Sequence, residues 1–429
     1  MLSVGIDIGT TTVSAVVYDI DAKRLVKECS LEHNSYNCTE IYFEQDVNAI
    51  MEKAQGLLYS ILDSYNGIIS IGVTGQMHGI VYMNSEGEAI SNLATWQDKR
   101  AEQKLQNGKS ACELIKEITG EKIATGYGIA THYYNILNGK VPDEAVGFCS
   151  IMDLFIMKIC KAKRMLTHAS VASSFGLFDI KNGAFMTDKL SLLGIDKSFL
   201  PEVTADNLVI GKCREIPVYV AIGDNQASFL GSVGEDESTL LVNIGTGSQV
   251  SMVSDYTEPN DELELRPFVN GKYLICGSAL CGGYAYSMLE KFFRSYIASS
   301  TGKESPQYDI MYKLACEAYE SKKEGLCVDT SFFGKRSNPD LKGSITKIGS
   351  QNLTPSALVL GTLQGMCDEL CSLYECFPKK GARIVASGGA VRKNEILKRL
   401  IEDTFGMSVL VSQIKEDAAK GAALFCRRG

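Results

Sequence analysis

Two short segments of this chain place hydroxyls and glycines where an apolar strand turns back on itself. The first, Asp7-Ile8-Gly9-Thr10-Thr11-Thr12, lies within LSVGIDIGTTTVSAVVYD; the second, Asn243-Ile244-Gly245-Thr246-Gly247-Ser248-Gln249, lies within TLLVNIGTGSQVSMVSD. Glycine lets a backbone approach a ligand with no Cβ in the way. Backbone N–H groups and hydroxyls around such a turn suit phosphate oxygens. A carboxylate at the rim, Asp7, suits a hydrated Mg2+, which prefers oxygen ligands and keeps its water. Either segment alone reads equally well as an ordinary β-hairpin, because threonine is a good strand residue. Two copies favour a pair of phosphate-binding turns, Gly9, Thr10, Thr11 and Thr12 in one and Gly245, Thr246 and Gly247 in the other, clamping a polyphosphate between two domains.

Three further stretches carry polar chemistry at strand ends. TGQMHGIVYMNSEGEAISNLATWQDKR, Thr74 to Arg100, gathers Gln76, Met77, His78, Trp96, Asp98 and Arg100, including the only tryptophan. A sugar needs many hydrogen bonds and one apolar face, so amides, a carboxylate, an imidazole and an indole belong together in a sugar site. Asp98 and Arg100 have a second reading: they hold the loop by pairing with each other. In AIGDNQAS, Asp224 follows an apolar strand and a glycine. It can accept the proton of an attacking hydroxyl, with Asn225 beside it at the substrate, or it can cap the helix that begins at Asn225. In SGGAVRKNEIL, Gly388 and Gly389 allow a purine or ribose to lie against backbone.

These segments must be held by a framework, and the apolar pattern supplies one. Ile50, Ala54, Leu57, Leu58 and Ile61 share one face of a helix expected over 44–64, followed by the strand IISIGVTG. Helices are also expected at 99–119, near 151–161, and at 283–298, 306–320, 354–376, 393–405 and 415–427. The strand ARIVASGGA falls among the last three. Strands alternating with helices indicate an α/β fold. The repeated hairpin past the middle of the chain indicates a duplicated architecture with a hinge around 224–238.

Composition narrows the function. The 429 residues are 45% hydrophobic and 22% charged, enough for two cores. A net charge of -8 with no basic run argues against nucleic acid as a partner. No apolar run is long enough to span a bilayer, and the first residues lack a signal-peptide pattern, so the expected location is cytoplasmic. The fourteen cysteines contain no CxxC pair and read as reduced, small core residues.

In order, DIGTTT, GQMHG, WQDKR, GDNQ, IGTG and SGGA resemble the FGGY family of carbohydrate kinases, from Gly5 to about Ala423. GQMHG marks the xylulokinase-like and sedoheptulokinase-like branches, and WQDKR followed by ATGYGIAT looks most like the latter. The resemblance implies two ribonuclease-H-like domains of the actin and sugar-kinase type with a cleft between them. It implies residues 1–230 mainly for the sugar and 231–429 mainly for ATP, with Mg2+ as cofactor. The implied reaction is phosphorylation of a terminal ketose hydroxyl, sedoheptulose to sedoheptulose 7-phosphate, with Asp224 and Asp7 as the catalytic pair and Asp7 as the Mg2+ residue. Met77 and His78 match a sugar-touching pair, and Trp96 matches an aromatic that packs on substrate. The adenine-side asparagine of relatives aligns to Lys393, with Asn394 beside it. The expected partners are small molecules, ATP and a sugar, in a monomer or homodimer. Three alternatives stay open at this point: another ketose or polyol kinase such as a xylulokinase, a non-catalytic sugar sensor of the same fold, and an actin-like or chaperone-like ATPase.

Overall fold

The computed structural model describes residues 1–163, 165–258, 260–321, 325–335, 338 and 340–426. They form two compact units. The first comprises Met1–Gly234, Arg266–Lys272 and the segment from Glu416 onward; the second comprises Glu235–Leu265 and Tyr273–Lys415. A single cut into 1–230 and 231–429 therefore misses two returns of the chain to the first unit.

The first unit is built on β1 (Leu2–Ile8), β2 (Thr12–Asp19), β3 (Arg24–Glu32), helix α1 (Val47–Ser64) and β4 (Ile68–Gly75). α1 starts at Val47 rather than 44, because Asp46 caps it by accepting the Asn48 and Ala49 N–H groups. The five apolar residues of its expected face are all buried. The helix expected over 99–119 resolves into a 3-10 turn, Arg100–Glu102, and α2 (Ala111–Thr119). Gly108 adopts a left-handed φ of 78° and breaks the run, and Ser110 with Glu113 restarts it through a capping box. α3 (Gly128–Leu137) has no counterpart in the sequence reading. Every residue from Gly128 to Asn135 is buried, so it lacks the polar stripe that marks an amphipathic helix. α4 (Ile151–Cys160) follows, then β5 (Val209–Cys213), β6 (Ile216–Tyr219) and α5 (Asp224–Ser232). The six strands lie in the order β5-β6-β4-β1-β2-β3.

The second unit has β7 (Thr239–Ile244), β8 (Ser248–Ser254), β9 (Leu263–Pro267) and β10 (Tyr273–Ala279). Helices α6 (Gly283–Thr301), α7 (Tyr308–Ser321) and α8 (Pro355–Glu375) come next, followed by β11 (Arg383–Ser387). After a short α9 (Gly389–Lys393), Asn394 caps α10 (Glu395–Phe405), and β12 (Val409–Val411) closes the sheet. Its order is β9-β10-β8-β7-β11-β12.

The two sheets share one plan. In the first, β1, β2 and β3 are antiparallel neighbours, and β4 and β6 continue parallel to β1. In the second, β7, β8 and β10 are antiparallel neighbours, and β11 and β12 continue parallel to β7. Register makes Asp7 the counterpart of Asn243, since Asp7 faces Thr74 on β4 and Asn243 faces Ser387 on β11. The glycines that follow are equivalent as well. A Cβ on Gly75 would stand 2.4 Å from the Ile8 carbonyl oxygen, and one on Gly388 would stand 2.2 Å from that of Ile244.

The last helix, α11 (Asp417–Phe425), belongs to the first unit; position 427, expected at its end, lies outside the described residues. It rests directly on backbone. A Cβ on Gly5 of β1 would lie 1.8 Å from the Ala419 oxygen, and one on Gly72 of β4 would lie 2.1 Å from that of Ala422. Between α5 and α11 the same holds in both directions: Gly231 against the Asp417 oxygen at 1.8 Å, and Gly421 against that of Ala227 at 1.7 Å. Among the described residues, no helix is long and apolar enough to cross a membrane.

Gly5→Val or Gly421→Val is expected to cost about 3 kcal/mol or more and to sharply reduce folded protein, read by thermal melting. Gly56→Ala, in α1 with nothing within 4 Å of the new methyl group, should instead stabilise by about 0.5–1 kcal/mol.

Candidate active site

The first glycine turn is held from behind. Its Gly9 N–H closes on the Thr12 oxygen at 2.9 Å. The Gly9 carbonyl meets His33 Nε2 at 3.1 Å, and the Thr10 carbonyl accepts from Tyr36 Oη at 3.0 Å and Gln45 Nε2 at 2.7 Å. The Thr11 carbonyl accepts the His33 N–H at 3.3 Å. His33 is nearly fully buried, and desolvation lowers its pKa, which favours the neutral ring. Because a carbonyl only accepts, Nε2 carries the ring proton, and Nδ1 receives the Ser35 hydroxyl at 2.8 Å. With the carbonyls tied inward and the Gly9 N–H spent on Thr12, Thr11 is left exposed and Thr10 and Thr12 partly exposed. Trp96, 47% exposed, donates its indole N–H to Thr10 Oγ1 at 3.0 Å, so the WQDKR segment and the first glycine turn meet here.

Beside this turn lies an acidic corner. Thr74 Oγ1, next to Asp7 in the sheet, donates to the Ile222 carbonyl at 2.7 Å, which brings the start of α5 alongside β1. Asp224 is the first residue of α5 and not its cap; Gly223 is the N-cap residue, and no side chain caps this end. The capping alternative therefore does not describe Asp224. Its Oδ1 accepts the Asn225 N–H at 2.6 Å and Asn225 Nδ2 at 3.1 Å, so Asn225 orients it. Both Asp7 and Asp224 are recessed yet still reached by water. Burial, with the neighbouring carboxylates of Asp224 and Glu416, pushes Asp7 up to about 7. Burial pushes Asp224 up to about 6, opposed by the charge of Arg266 and the Asn225 N–H. Among the described residues, no three His, Cys, Asp or Glu side chains gather as a metal cage. A lone recessed carboxylate with acidic neighbours fits a divalent ion that keeps most of its water.

The Thr74–Arg100 stretch divides into exposed and structural parts. Gln76 is buried, with Nε2 donating to Gln45 Oε1 at 2.8 Å. Met77 is buried beneath the start of α5: a Cβ on Gly223 would stand 2.8 Å from its sulfur. His78 is partly exposed and has a left-handed φ of 72°. Its N–H donates to Ser174 Oγ at 3.0 Å, its Nδ1 meets the Ser174 carbonyl at 2.8 Å, and its ring stacks on Tyr127 at 4.4 Å. Such a conformation costs energy and persists only where the surroundings enforce it.

Asp98 and Arg100, expected among substrate contacts, take their alternative role. Asp98 is fully buried and receives Arg100 Nε at 2.7 Å, Arg100 Nη2 at 2.9 Å and the Phe43 N–H at 3.0 Å. Arg100 also reaches Glu44 at 2.6 Å and Asn135 at 3.2 Å. A carboxylate so enclosed has no face left for a sugar. The ATGYG segment is bound to the same loop. Thr125 Oγ1 donates to the Asp98 carbonyl at 3.1 Å, and at Gly126, φ 80°, a Cβ would stand 2.0 Å from the Trp96 oxygen.

The second unit holds a cavity of about 580 Å³, lined among others by Gly245, Thr246, Gly389, Lys393 and Asn394, within the size range of small-molecule sites. Gly247 and Gly388 are not in its wall; Gly388, φ 99°, serves the close approach to Ile244 instead. Asn394 spends its Oδ1 on capping α10 through the Leu397 N–H. Tyr284, Tyr286, Tyr308 and Tyr312 supply aromatic wall that sequence reading did not single out. The Tyr286 hydroxyl is buried with no protein partner among the described residues. The reading also missed His33, Gln45, Ser174, Arg266 and Glu416. No motif marks them, because each acts through a neighbour remote in sequence.

Models of the FGGY family of carbohydrate kinases match this chain, the N-terminal domain over residues 2–241 and the C-terminal domain over 240–428. A sedoheptulokinase from Mus musculus is 27% identical over 99% of this chain and 96% of its own. A xylulose kinase from Staphylococcus xylosus is 24% identical over 99% of this chain and 90% of its own. The crystal structure of xylulose kinase from Rhodospirillum rubrum superposes with a TM-score of 0.84 at 19% identity, covering 100% of this chain and 89% of that one.

Arg100→Met should leave Asp98 buried without its partner and cost about 3–5 kcal/mol in denaturant unfolding. Adding Asp98→Asn should recover a large part of that loss. Asp7 and Asp224 hold their protons more tightly folded than unfolded, so they favour folding increasingly as pH falls from about 7 towards 4. Asp7→Asn is accordingly expected to raise the melting temperature at pH 8, by about 2–4 °C per 1 kcal/mol of repulsion removed, with the gain vanishing by about pH 4.

Proposed function

The chain belongs to the FGGY family of carbohydrate kinases, and on that premise we propose that it transfers the γ-phosphoryl group of ATP to a terminal hydroxyl of sedoheptulose, giving sedoheptulose 7-phosphate. The observation that carries the reading is Asp224, a carboxyl at the first position of α5 and not at its N-cap, oriented by Asn225, with its pKa raised to about 6. A base of that strength is ionised at neutral pH and can still take up the proton of an attacking hydroxyl. Phosphoryl transfer is mostly positioning and charge stabilisation, so its aim matters more than its strength.

In this reading His78 and the exposed Trp96 ring meet the sugar on the first unit, with Gln76 behind them. The turn at Gly9–Thr12 meets phosphate oxygens, and the cavity beside Gly245, Thr246, Gly389 and Asn394 takes the nucleoside. Mg2+ would be held through water by Asp7, where it would neutralise phosphate charge; the acidic crowding there is what a divalent cation relieves. The identity to the Mus musculus enzyme supports sedoheptulose, and that to the Staphylococcus xylosus enzyme makes xylulose the second candidate.

Turnover would be measured with ATP, Mg2+ and a panel of sedoheptulose, xylulose, ribulose, fructose and glycerol. The highest kcat/KM is expected on sedoheptulose; a preference for xylulose would overturn the substrate and keep the chemistry. Asp224→Asn should lower kcat by about 10²–10⁴-fold while ATP binding persists. In the unaltered protein, the rate should fall as pH drops below about 6 and Asp224 takes up its proton.

A further inference from the structure

Gln45 lies in none of the glycine turns, yet it touches both halves of the first unit's site. It ends the short strand Phe43–Gln45 and is fully buried. Its Nε2 donates to the Thr10 carbonyl at 2.7 Å, and its Oε1 receives Gln76 Nε2 at 2.8 Å. The two ends of a glutamine amide look alike and are ordinarily assigned only from their partners. Here the chemistry leaves one solution. A backbone carbonyl can only accept, so Gln45 must turn its nitrogen to Thr10 and its oxygen to Gln76. Gln76 must then present its nitrogen to Gln45, where it also lies 3.5 Å from the Gly9 carbonyl. The orientation of Gln76 is thus set mainly through Gln45, by a Thr10 carbonyl it does not touch, and secondarily by its own longer contact to the Gly9 carbonyl. The result is a Gln76 Oε1 that is buried and has no hydrogen-bond partner among the described residues. A buried acceptor left unmet costs on the order of 1–3 kcal/mol, so its partner is expected from outside the chain.

We infer that Gln45 is a positioning residue for the acceptor: it fixes the Gln76 amide so that Oε1 receives a hydroxyl group of the bound sugar. This rests on the kinase reading above and deepens it. The group recognised at that point is a hydrogen-bond donor, so a hydroxyl fits and a carboxylate does not. Without Gln45 the Gln76 amide keeps only its 3.5 Å contact to the Gly9 carbonyl, and a flipped amide would meet the sugar hydroxyl with N–H groups.

The test compares Gln45→Met, Gln76→Met and the double variant on whichever panel sugar the unaltered protein turns over. Gln45→Met should raise the KM for the sugar by about 10–100-fold, with kcat and the KM for ATP changed by less than about threefold. In the Gln76→Met background the same change should have no further effect on sugar KM, because Gln45 acts through Gln76. Additive effects, or an effect confined to the KM for ATP, would overturn the inference and assign Gln45 to the phosphate turn alone. Turnover on no sugar would sink the kinase reading, and the positioning claim would then be decided by nuclear magnetic resonance of 15N-glutamine-labelled protein. Gln45→Met should shift the Gln76 side-chain amide signal, identified by its loss in Gln76→Met, and speed its exchange with water. An unmoved signal would refute the claim. Melting curves of each variant establish that the comparison is made on folded protein.

Discussion

Backbone resting on backbone organises the first unit. The Cβ-free surfaces of Gly5 and Gly72 let α11 lie against β1 and β4 with its carbonyls where side chains would otherwise be. The same closeness joins α11 to α5 through Gly231 and Gly421. A contact of this kind tolerates no adjustment by rotamer, because no rotamer is involved. It sets the height of α5 above the sheet, and α5 carries Asp224 on its first residue. The position of the proposed base is therefore inherited from four glycines, none of which touches the acidic corner.

The duplication works by the same device. Gly75 and Gly388 each press against the carbonyl of the isoleucine that ends the neighbouring strand. Each unit thus narrows where its first hairpin turns, and each turn keeps its glycine and threonine. What differs is the residue one step earlier, Asp7 in one unit and Asn243 in the other. A carboxylate among carboxylates is raised by burial and repulsion, whereas an amide at the equivalent place carries no charge. One scaffold, used twice, therefore sets an acidic corner beside its first hairpin and a neutral amide at the equivalent place of its second.

The strands and turns of this architecture were legible because a short apolar run ending in Ile-Gly-Thr has few other uses. α1 was legible because its apolar face repeats at helical spacing, and α3 was not, because it is buried all round. For Asp98 and Arg100 the sequence left two roles open, and only the Glu44 and Asn135 contacts decide between them. Gln45 carried no signal at all. A glutamine in Phe-Glu-Gln-Asp is ordinary until the Thr10 carbonyl and the Gln76 amide are seen on either side of it, from positions dozens of residues away. Sequence patterns mark residues whose conformation or periodicity is unusual. They do not mark residues that are ordinary locally and matter through distant partners.

The placement of α11 also bears on how the molecule is made. A ribosome delivers β1, β4 and α5 first, then the whole second unit, and only afterwards the helix that covers Gly5 and Gly72. Until then, one face of the first sheet stays bare, with its glycines open to water or to unwanted partners. The unit that is synthesised first is thus the one completed last, and the second unit, interrupted in sequence only by Arg266–Lys272, can mature ahead of it.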